Sequence, residues 1–129
     1  MKTKLFLFCV ATAVLATACS KEAGDGGMSS IRGKVYARDY NSSGSFISEG
    51  YAPEENVYLS YGDNDYVNDD TKTSFNGVYQ FNYLRPGNYT IFVYSKCDNC
   101  HLDQEVIKQT INIPDNHSTI ELPDFEIRK

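Results

Sequence analysis

The stretch with the clearest chemical potential is Cys97-Asp98-Asn99-Cys100-His101, where two thiols and an imidazole lie within five residues. The spacing Cys-x-x-Cys-His is the attachment pattern of c-type haem, with the cysteines as thioethers and the histidine as axial ligand. Only His117 could complete the axial pair as a second histidine. The cysteines could instead form a local disulfide, or stay as thiols that bind a metal together with further ligands. We predict the Cys97–Cys100 disulfide and keep a small redox or haem protein as the alternative.

A second group of residues offers oxygen ligands for calcium. Four aspartates fall within one short polar segment: Asp63, Asp65, Asp69 and Asp70. Calcium prefers carboxylate oxygens, but this segment lacks the central glycine and the bidentate glutamate of an EF-hand loop. Aspartate is also a common turn residue. We therefore predict no metal site and retain these four only as weak calcium candidates.

The third candidate site is aromatic. Tyr36, Tyr58, Phe92 and Tyr94 each have the strand parity opposite to that of the apolar residues beside them. Rings on a solvent-exposed face could form a stacking platform for a sugar or a partner protein, or could pair with each other across strands. We name these four as the ligand-binding candidates. The sequence shows no recognisable Ser/His/Asp or Cys/His catalytic pair, so we predict a protein that is not an enzyme and needs no cofactor.

The N-terminus predicts export. Lys2 and Lys4 precede an apolar run, residues 5–15, that is too short to span a bilayer comfortably. Ala16-Thr17-Ala18-Cys19 then resembles a bacterial lipobox, although leucine is usual where Ala16 stands. In that class of signal, cleavage precedes the cysteine, which carries the lipid. An ordinary secretory signal would be cut at the same place.

These signals divide the chain into three parts. Residues 1–18 are the expected lipoprotein signal peptide, and residues 19–29 are a glycine-rich, polar tether that starts at a lipidated Cys19. Residues 30–129 form the folded domain. The polar stretch after Cys19 is similar to the surface-export signals of Bacteroidetes lipoproteins. We expect a cell-envelope protein, anchored by the lipid on Cys19, in the outer membrane.

Charge narrows the choice of partner. The formal net charge is −5, and loss of Lys2 and Lys4 with the signal peptide leaves −7. A chain this acidic, with no run of lysine or arginine, lacks the basic face that phosphate binding requires. We predict no nucleic-acid partner, and a glycan or an envelope protein as the possible partner.

Alternating apolar and polar residues predict strands through the rest of the chain. Ile31, Val35 and Ala37 share one face of the first strand, and Lys34 should point to solvent. Residues 40–55 are polar and glycine-rich and read as a long surface loop. Pro123 should interrupt the last strand, because it has no N–H to donate. The pattern predicts one antiparallel β-sandwich of seven strands.

A central hairpin carries a family resemblance. Its motif is Gly77-x-Tyr79-x-Phe81-x2-Leu84-x-Pro86-Gly87-x-Tyr89, in which Pro86-Gly87 suits a type II turn. With the first strand, this motif resembles the carboxypeptidase-regulatory-like domain, and it is similar to the prealbumin-like, Cna-B-like and starch-binding-like sandwiches. The resemblance covers roughly residues 30–127. It implies a non-catalytic module that binds, spaces or presents, and it names no single ligand.

Overall fold

The computed structural model describes residues 22–64 and 66–129. Within these ranges the chain forms two sheets that pack as a β-sandwich, which confirms the predicted all-β fold. The strands are β1 (Asp25–Tyr40), β2 (Phe46–Tyr51), β3 (Asn56–Tyr61), β4 (Asp69–Lys72), β5 (Val78–Leu84), β6 (Gly87–Lys96), β7 (Gln104–Ile113), β8 (Thr119–Glu121) and β9 (Phe125–Arg128). One 3-10 turn, His101–Asp103, lies between β6 and β7. None of the described residues belongs to a helix long and apolar enough to cross a membrane.

The first sheet is built around β1. This strand of 16 residues pairs with β5 along its first half and with β2 along its second half. Val35 marks the junction, since its N–H donates to the carbonyl of Gly77 (2.9 Å) and its carbonyl accepts from the N–H of Ala52 (2.9 Å). The opposite edge of β1 pairs with β8 and then with β9.

Two details of the predicted sheet differ from the structure. The prediction of a wholly antiparallel sandwich is wrong for β8 and β9, which run parallel to β1 because the C-terminal chain returns along the free edge of that long strand. The strand count is nine among the described residues instead of seven. Part of the expected 40–55 loop forms β2, and the interruption expected at Pro123 separates β8 from β9.

The core lies between the two sheets and follows the predicted alternation. Ile31, Val57, Leu59, Ile91 and Val93 are all buried. Burying one such side chain stabilises the fold by about 1.5–3 kcal/mol. The second sheet, in the order β4-β3-β6-β7, contributes its inward face to this core and leaves its outward face to solvent.

Tyr79 of β5 packs into the core without a hydrogen bond to its hydroxyl. The Tyr79 hydroxyl is buried without a hydrogen-bond partner, and burial raises the pKa of this phenol well above its ordinary value. It lies against Gly33, where a Cβ atom would come within 2.5 Å of the hydroxyl oxygen. Gly33 is therefore required for the close packing of β1 on this ring.

The predicted tether, residues 19–29, extends too far along the chain, because its C-terminal part belongs to the sandwich. The Tyr89 hydroxyl accepts a hydrogen bond from the Gly24 N–H (2.9 Å) and donates one to the Arg85 carbonyl (2.6 Å). The Arg85 N–H in turn donates to the Gly24 carbonyl (2.8 Å). Ser29 is fully buried. Gly24 and Gly27 allow the chain to pack closely against Leu84 and Arg85, whereas the glycine-rich sequence had predicted a flexible segment. Residues 1–21, with Cys19 and the expected signal peptide, lie outside the described residues.

Candidate functional site

The outward face of the second sheet carries a cluster of three aromatic side chains. Tyr58 of β3 lies opposite Phe92 of β6, and their rings stack with centroids 5.1 Å apart and an interplanar angle of 21°. Tyr94 stands edge-on to both, 5.5 Å from Tyr58 and 5.9 Å from Phe92. We call Tyr58, Phe92 and Tyr94 the aromatic cluster. Each ring fixes the orientation of the others, because offset-stacked and edge-to-face pairs are the favoured aromatic geometries.

An open groove of about 440 Å³ runs beside this cluster. Its floor and walls come from β3, the loop that follows it, β6 and β7: Ser60, Asp63, Asn64, Thr90, Phe92, Tyr94, Val106, Lys108 and Thr110. The volume falls within the range of small-molecule sites in proteins, about 300–1,000 Å³. Two of the three clustered rings therefore face a space large enough for a ligand.

Tyr58 has a different role from the other two rings. It does not line the groove, and it stacks behind Phe92 on the side of β3. On the other side of Phe92, β7 places Lys108 directly opposite in the strand register. Phe92 is thus supported on one side by an aromatic ring and faces the groove on the other.

Hydrogen bonds hold the wall that follows β3 in place. The Ser60 hydroxyl donates to the Tyr66 carbonyl (2.7 Å), and the Thr90 hydroxyl donates to the Gly62 carbonyl (3.1 Å). The Gly62 N–H donates to the Asn88 carbonyl (2.7 Å). This wall presents Asp63 and Asn64 to the groove. The groove is thereby largely preformed, which lowers the entropic cost of binding.

The lining combines aromatic surface with donors and acceptors. Among the described residues that line the groove, Asp63 is the one carboxylate and Lys108 the one cation. Hydrolysis of a glycosidic bond requires in most families a pair of carboxyl groups that flank the bond. The described lining therefore has the chemistry to hold a polar ligand against a ring, with one carboxylate among its residues.

The fourth aromatic candidate, Tyr36, lies elsewhere. It projects from β1 in the first sheet, where its ring packs edge-on against Tyr51 (5.3 Å, 86°). The guanidinium of Arg38 lies 5.6 Å from the Tyr36 ring centroid. The sequence grouped Tyr36 with the aromatic cluster because all four share the outward parity, and parity alone does not identify the sheet.

Sequence reasoning missed much of the groove. Thr90, Val106, Lys108 and Thr110 were not among the candidates, although all four have the outward parity of their strands. Outward parity at the β6–β7 pair could have found them once β7 was recognised as the neighbour of β6. Asp63 was named as a calcium candidate and lies instead in the wall of the groove.

Asp69 and Asp70, among the described residues, belong to no group of converging metal ligands. Asp65 lies outside the described residues, and the Asp69 carboxylate accepts a hydrogen bond from the Asp70 N–H (2.8 Å). Within the described ranges, the group of potential metal ligands that does converge is Cys97, Cys100 and Glu105. It contains none of the four aspartates.

The Cys97–Cys100 disulfide is present, as predicted. It closes the tip between β6 and β7, where the Cys97 N–H donates to the Asp103 carbonyl (3.0 Å). Asp98 in the same tip forms an ion pair with Arg128 (3.1 Å). The two sulfurs are bonded to each other in this structure. The arrangement favours a structural staple for the tip.

Comparison with known proteins adds little. No protein-family model matches the chain, and no curated protein matches it. Among solved structures, the chain is similar to a protein from Pseudomonas aeruginosa described as a "putative carbohydrate binding protein". The two share 14% sequence identity over 83% of this chain and 92% of the other, with a TM-score of 0.43. A likeness this distant carries no argument about the ligand of this chain.

Proposed function

We propose that this protein is a lipid-anchored module of the cell envelope that binds carbohydrate without catalysis. The observation that carries the proposal is the groove, in which Phe92 and Tyr94 adjoin hydroxyl, amide, carboxylate and ammonium groups. A sugar ring has one apolar C–H face and an equatorial rim of hydroxyls, so it needs both an aromatic surface and polar groups around it. The groove offers the two together.

The positions of the polar groups suit a hydroxyl-rich ligand. Asp63 can accept hydrogen bonds from hydroxyls on one wall, and Lys108 can donate to hydroxyl oxygens on the other. Thr90 and Thr110 add hydroxyls on the outward faces of β6 and β7. Neutral saccharides are the favoured class, because a mature chain with a net charge of −7 repels polyanionic glycans at long range.

The anchor is the second part of the proposal and rests on the sequence. The lipobox-like Ala16-Thr17-Ala18-Cys19 follows a short apolar run, and cleavage before Cys19 would leave the lipidated cysteine at the start of the mature chain. Multiple acyl chains give stable membrane attachment. A module held in this way would keep its glycan partner at the surface of the envelope.

The test is to locate a bound sugar by its effect on backbone resonances. Amide chemical shifts are recorded while a panel of neutral oligosaccharides, including envelope glycan fragments, is titrated into the protein. We expect a binding member to shift amides of residues 62–64, 90–94 and 106–110. The matched internal control is the outward face of β1, β2 and β9, whose amides should not move.

Two results would count against the proposal. If no oligosaccharide in the panel shifts any amide, the groove is not a carbohydrate site and an envelope protein becomes the better partner. If the shifts map to β1 and β2, the binding face has been assigned to the wrong sheet. The intact mass of protein extracted from its native membrane tests the anchor separately, because acyl chains on Cys19 would raise it.

A further inference from the structure

We propose that the end of the sandwich at which the chain enters the domain lies against the lipid bilayer, with Met28 and Tyr83 in the headgroup region. This inference rests on the lipid anchor of the proposed function and is independent of the glycan. It assigns a partner, the membrane surface, to one apolar patch. The patch consists of Met28 and Tyr83, which line one shallow cavity together with Ser30 and Asn82.

The short link between anchor and domain sets the geometry. Four residues lie between Cys19 and Gly24, so these two positions can be at most roughly 18 Å apart when the link is fully extended. Gly24 is fixed to the sandwich by hydrogen bonds to Tyr89 and Arg85. The domain therefore cannot turn freely above the membrane. The end that carries Gly24 and the β5–β6 turn must remain close to the lipid.

Both side chains of the patch are largely exposed. Tyr83 is 73% exposed and Met28 is 64% exposed. Met28 lies at this end beside the β7–β8 turn, where its N–H donates to the side-chain oxygen of Asn116 (3.2 Å). Two large side chains that would gain from leaving water thus lie beside the point where the chain leads to its anchor.

The backbone of Tyr83 gives an independent observation. Tyr83 adopts a positive φ of 59°, which is unfavourable for a residue with a Cβ atom. In regular alternation its side chain would follow Phe81 into the core, but Phe81 and Leu84 are both buried and Tyr83 is turned outward. The local conformation therefore displays this ring to solvent at an energetic cost.

Tyrosine suits the membrane interface better than bulk water, because its ring is apolar and its hydroxyl can bond to headgroups. Methionine is flexible and fits irregular apolar surroundings. Charge does not drive the contact, since Arg85 shares this end with Asp25 and with Asp115, whose carbonyl accepts a hydrogen bond from the Ser29 hydroxyl. The contact would therefore depend on the two apolar side chains more than on anionic lipid.

The opposite end provides a matched control. β6 runs for ten residues from the β5–β6 turn to the disulfide tip, which is about 33 Å of strand. Leu102 lies in that tip and is 80% exposed. If Tyr83 meets the bilayer, Leu102 must lie well away from it.

The absence of tryptophan from the sequence makes the test direct. The full chain carrying Tyr83→Trp as its single tryptophan is purified in acylated form and reconstituted into phosphatidylcholine/phosphatidylglycerol vesicles. Its fluorescence is compared with that of Leu102→Trp, and intact mass verifies acylation of each sample. We expect a blue shift and quenching by headgroup-depth spin-labelled lipid for Tyr83→Trp, and neither for Leu102→Trp. A Met28→Trp reporter repeats the measurement on the same patch from β1.

The possible failures are distinguishable. If acylated protein gives no shift for Tyr83→Trp or Met28→Trp, the surface assignment is wrong and the anchor stands. If both Tyr83→Trp and Leu102→Trp are quenched, the domain lies on its side, which also overturns the assignment. If the mass shows no acyl chains on material from native membranes, the anchor and the surface fail together, while the carbohydrate groove is unaffected.

Discussion

The two outward faces of the sandwich both carry aromatic residues, and they use them differently. On the first sheet the rings are covered by cations: the Lys34 ammonium lies 4.9 Å from the Tyr51 ring centroid, and the Arg128 guanidinium lies 4.6 Å from that of Tyr40. On the second sheet, Phe92 is stacked on one side by Tyr58 and faces an open groove on the other.

The polar groups show the same contrast. On the first face, Arg38 forms ion pairs with Glu49 (3.2 Å) and Glu126 (3.6 Å). The negative charge of Glu126, and to a lesser extent the hydrogen bond to Glu49, raises the pKa of this guanidinium. The Tyr51 hydroxyl donates to the Asp124 carboxylate (2.9 Å). In the groove, Asp63 and Lys108 stand on opposite walls. These groups of the first face pair with one another, although a cavity of about 650 Å³ lies beside Lys34 and Tyr51. The groove of the second face differs in that its rings adjoin a carboxylate and an ammonium group.

The comparison shows that an outward aromatic residue is not a binding site by itself. What decides is whether its ring and the polar groups beside it already have partners. Exposed ion pairs and cation–π contacts such as those of the first face contribute little stability each, but they engage the rings and charges that form them.

The largest effect should come from Phe92→Ala. Loss of the ring that faces the groove should weaken glycan binding by about thirtyfold, the size expected for removing a central anchor worth about 2 kcal/mol. Tyr36→Ala on the first face is the matched control and should leave affinity unchanged. Titration calorimetry with a glycan identified by chemical-shift mapping makes the measurement. Equal losses for the two variants would erase the distinction between the faces.

Tyr58→Ala should have a smaller effect, because Tyr58 supports Phe92 and does not line the groove. We expect about a fivefold loss of affinity, corresponding to an aromatic pair worth about 1 kcal/mol. Tyr58→Phe keeps the stacked ring and should bind like the unaltered protein. A loss as large as that of Phe92→Ala, measured in the same titration, would mean that Tyr58 touches the sugar itself.

Lys108→Met should weaken binding about threefold, as expected for one hydrogen bond contributing less than 1 kcal/mol net. Methionine retains the length and much of the apolar stem, so the groove should keep its shape. Lys72→Met is the control, since Lys72 is an exposed lysine of β4 that does not line the groove. A larger loss for Lys72→Met would place the ligand at the β4 edge of the sheet, away from the groove.

The smallest effect concerns the first face and appears only in alkali. The hydrogen bond to Asp124 raises the pKa of Tyr51 above the value of about 10 in the unfolded chain. Its contribution to the free energy of unfolding is therefore complete below pH 10 and is lost as pH rises through the higher folded-state pKa. Urea unfolding between pH 8 and about 11.5 should show a shallower decline for Tyr51→Phe. Identical slopes would mean that the Tyr51–Asp124 hydrogen bond contributes nothing to the free energy of unfolding.

Much of the fold could be predicted from alternation alone. The inward faces of Ile31 to Ala37, Val57 to Tyr61 and Tyr89 to Val93 follow from apolar spacing, and the core confirms them. The split at Pro123 followed from its missing N–H. These features depend on residues close together in sequence, where period and backbone chemistry carry the information.

The groove could be predicted only in part, since it depends on which strands are neighbours. Tyr58, Phe92 and Tyr94 belong together because β3 pairs with β6, and Tyr36 is excluded because β1 lies in the other sheet. Lys108 joins them only through the β6–β7 pairing. Gly24 looked flexible in the sequence because its partner, Tyr89, is 65 residues away.

The position of β1 has a consequence for how the protein forms. Ile31 pairs with Ile120, and Val35 pairs with Phe125, so the sheet joins residues near the two ends of the sequence. Topologies dominated by such distant pairings fold slowly, in milliseconds to seconds. The first sheet cannot close until the last strand has been made available. A chain that emerges N-terminus first would therefore keep an incomplete first sheet until residues 125–128 had followed.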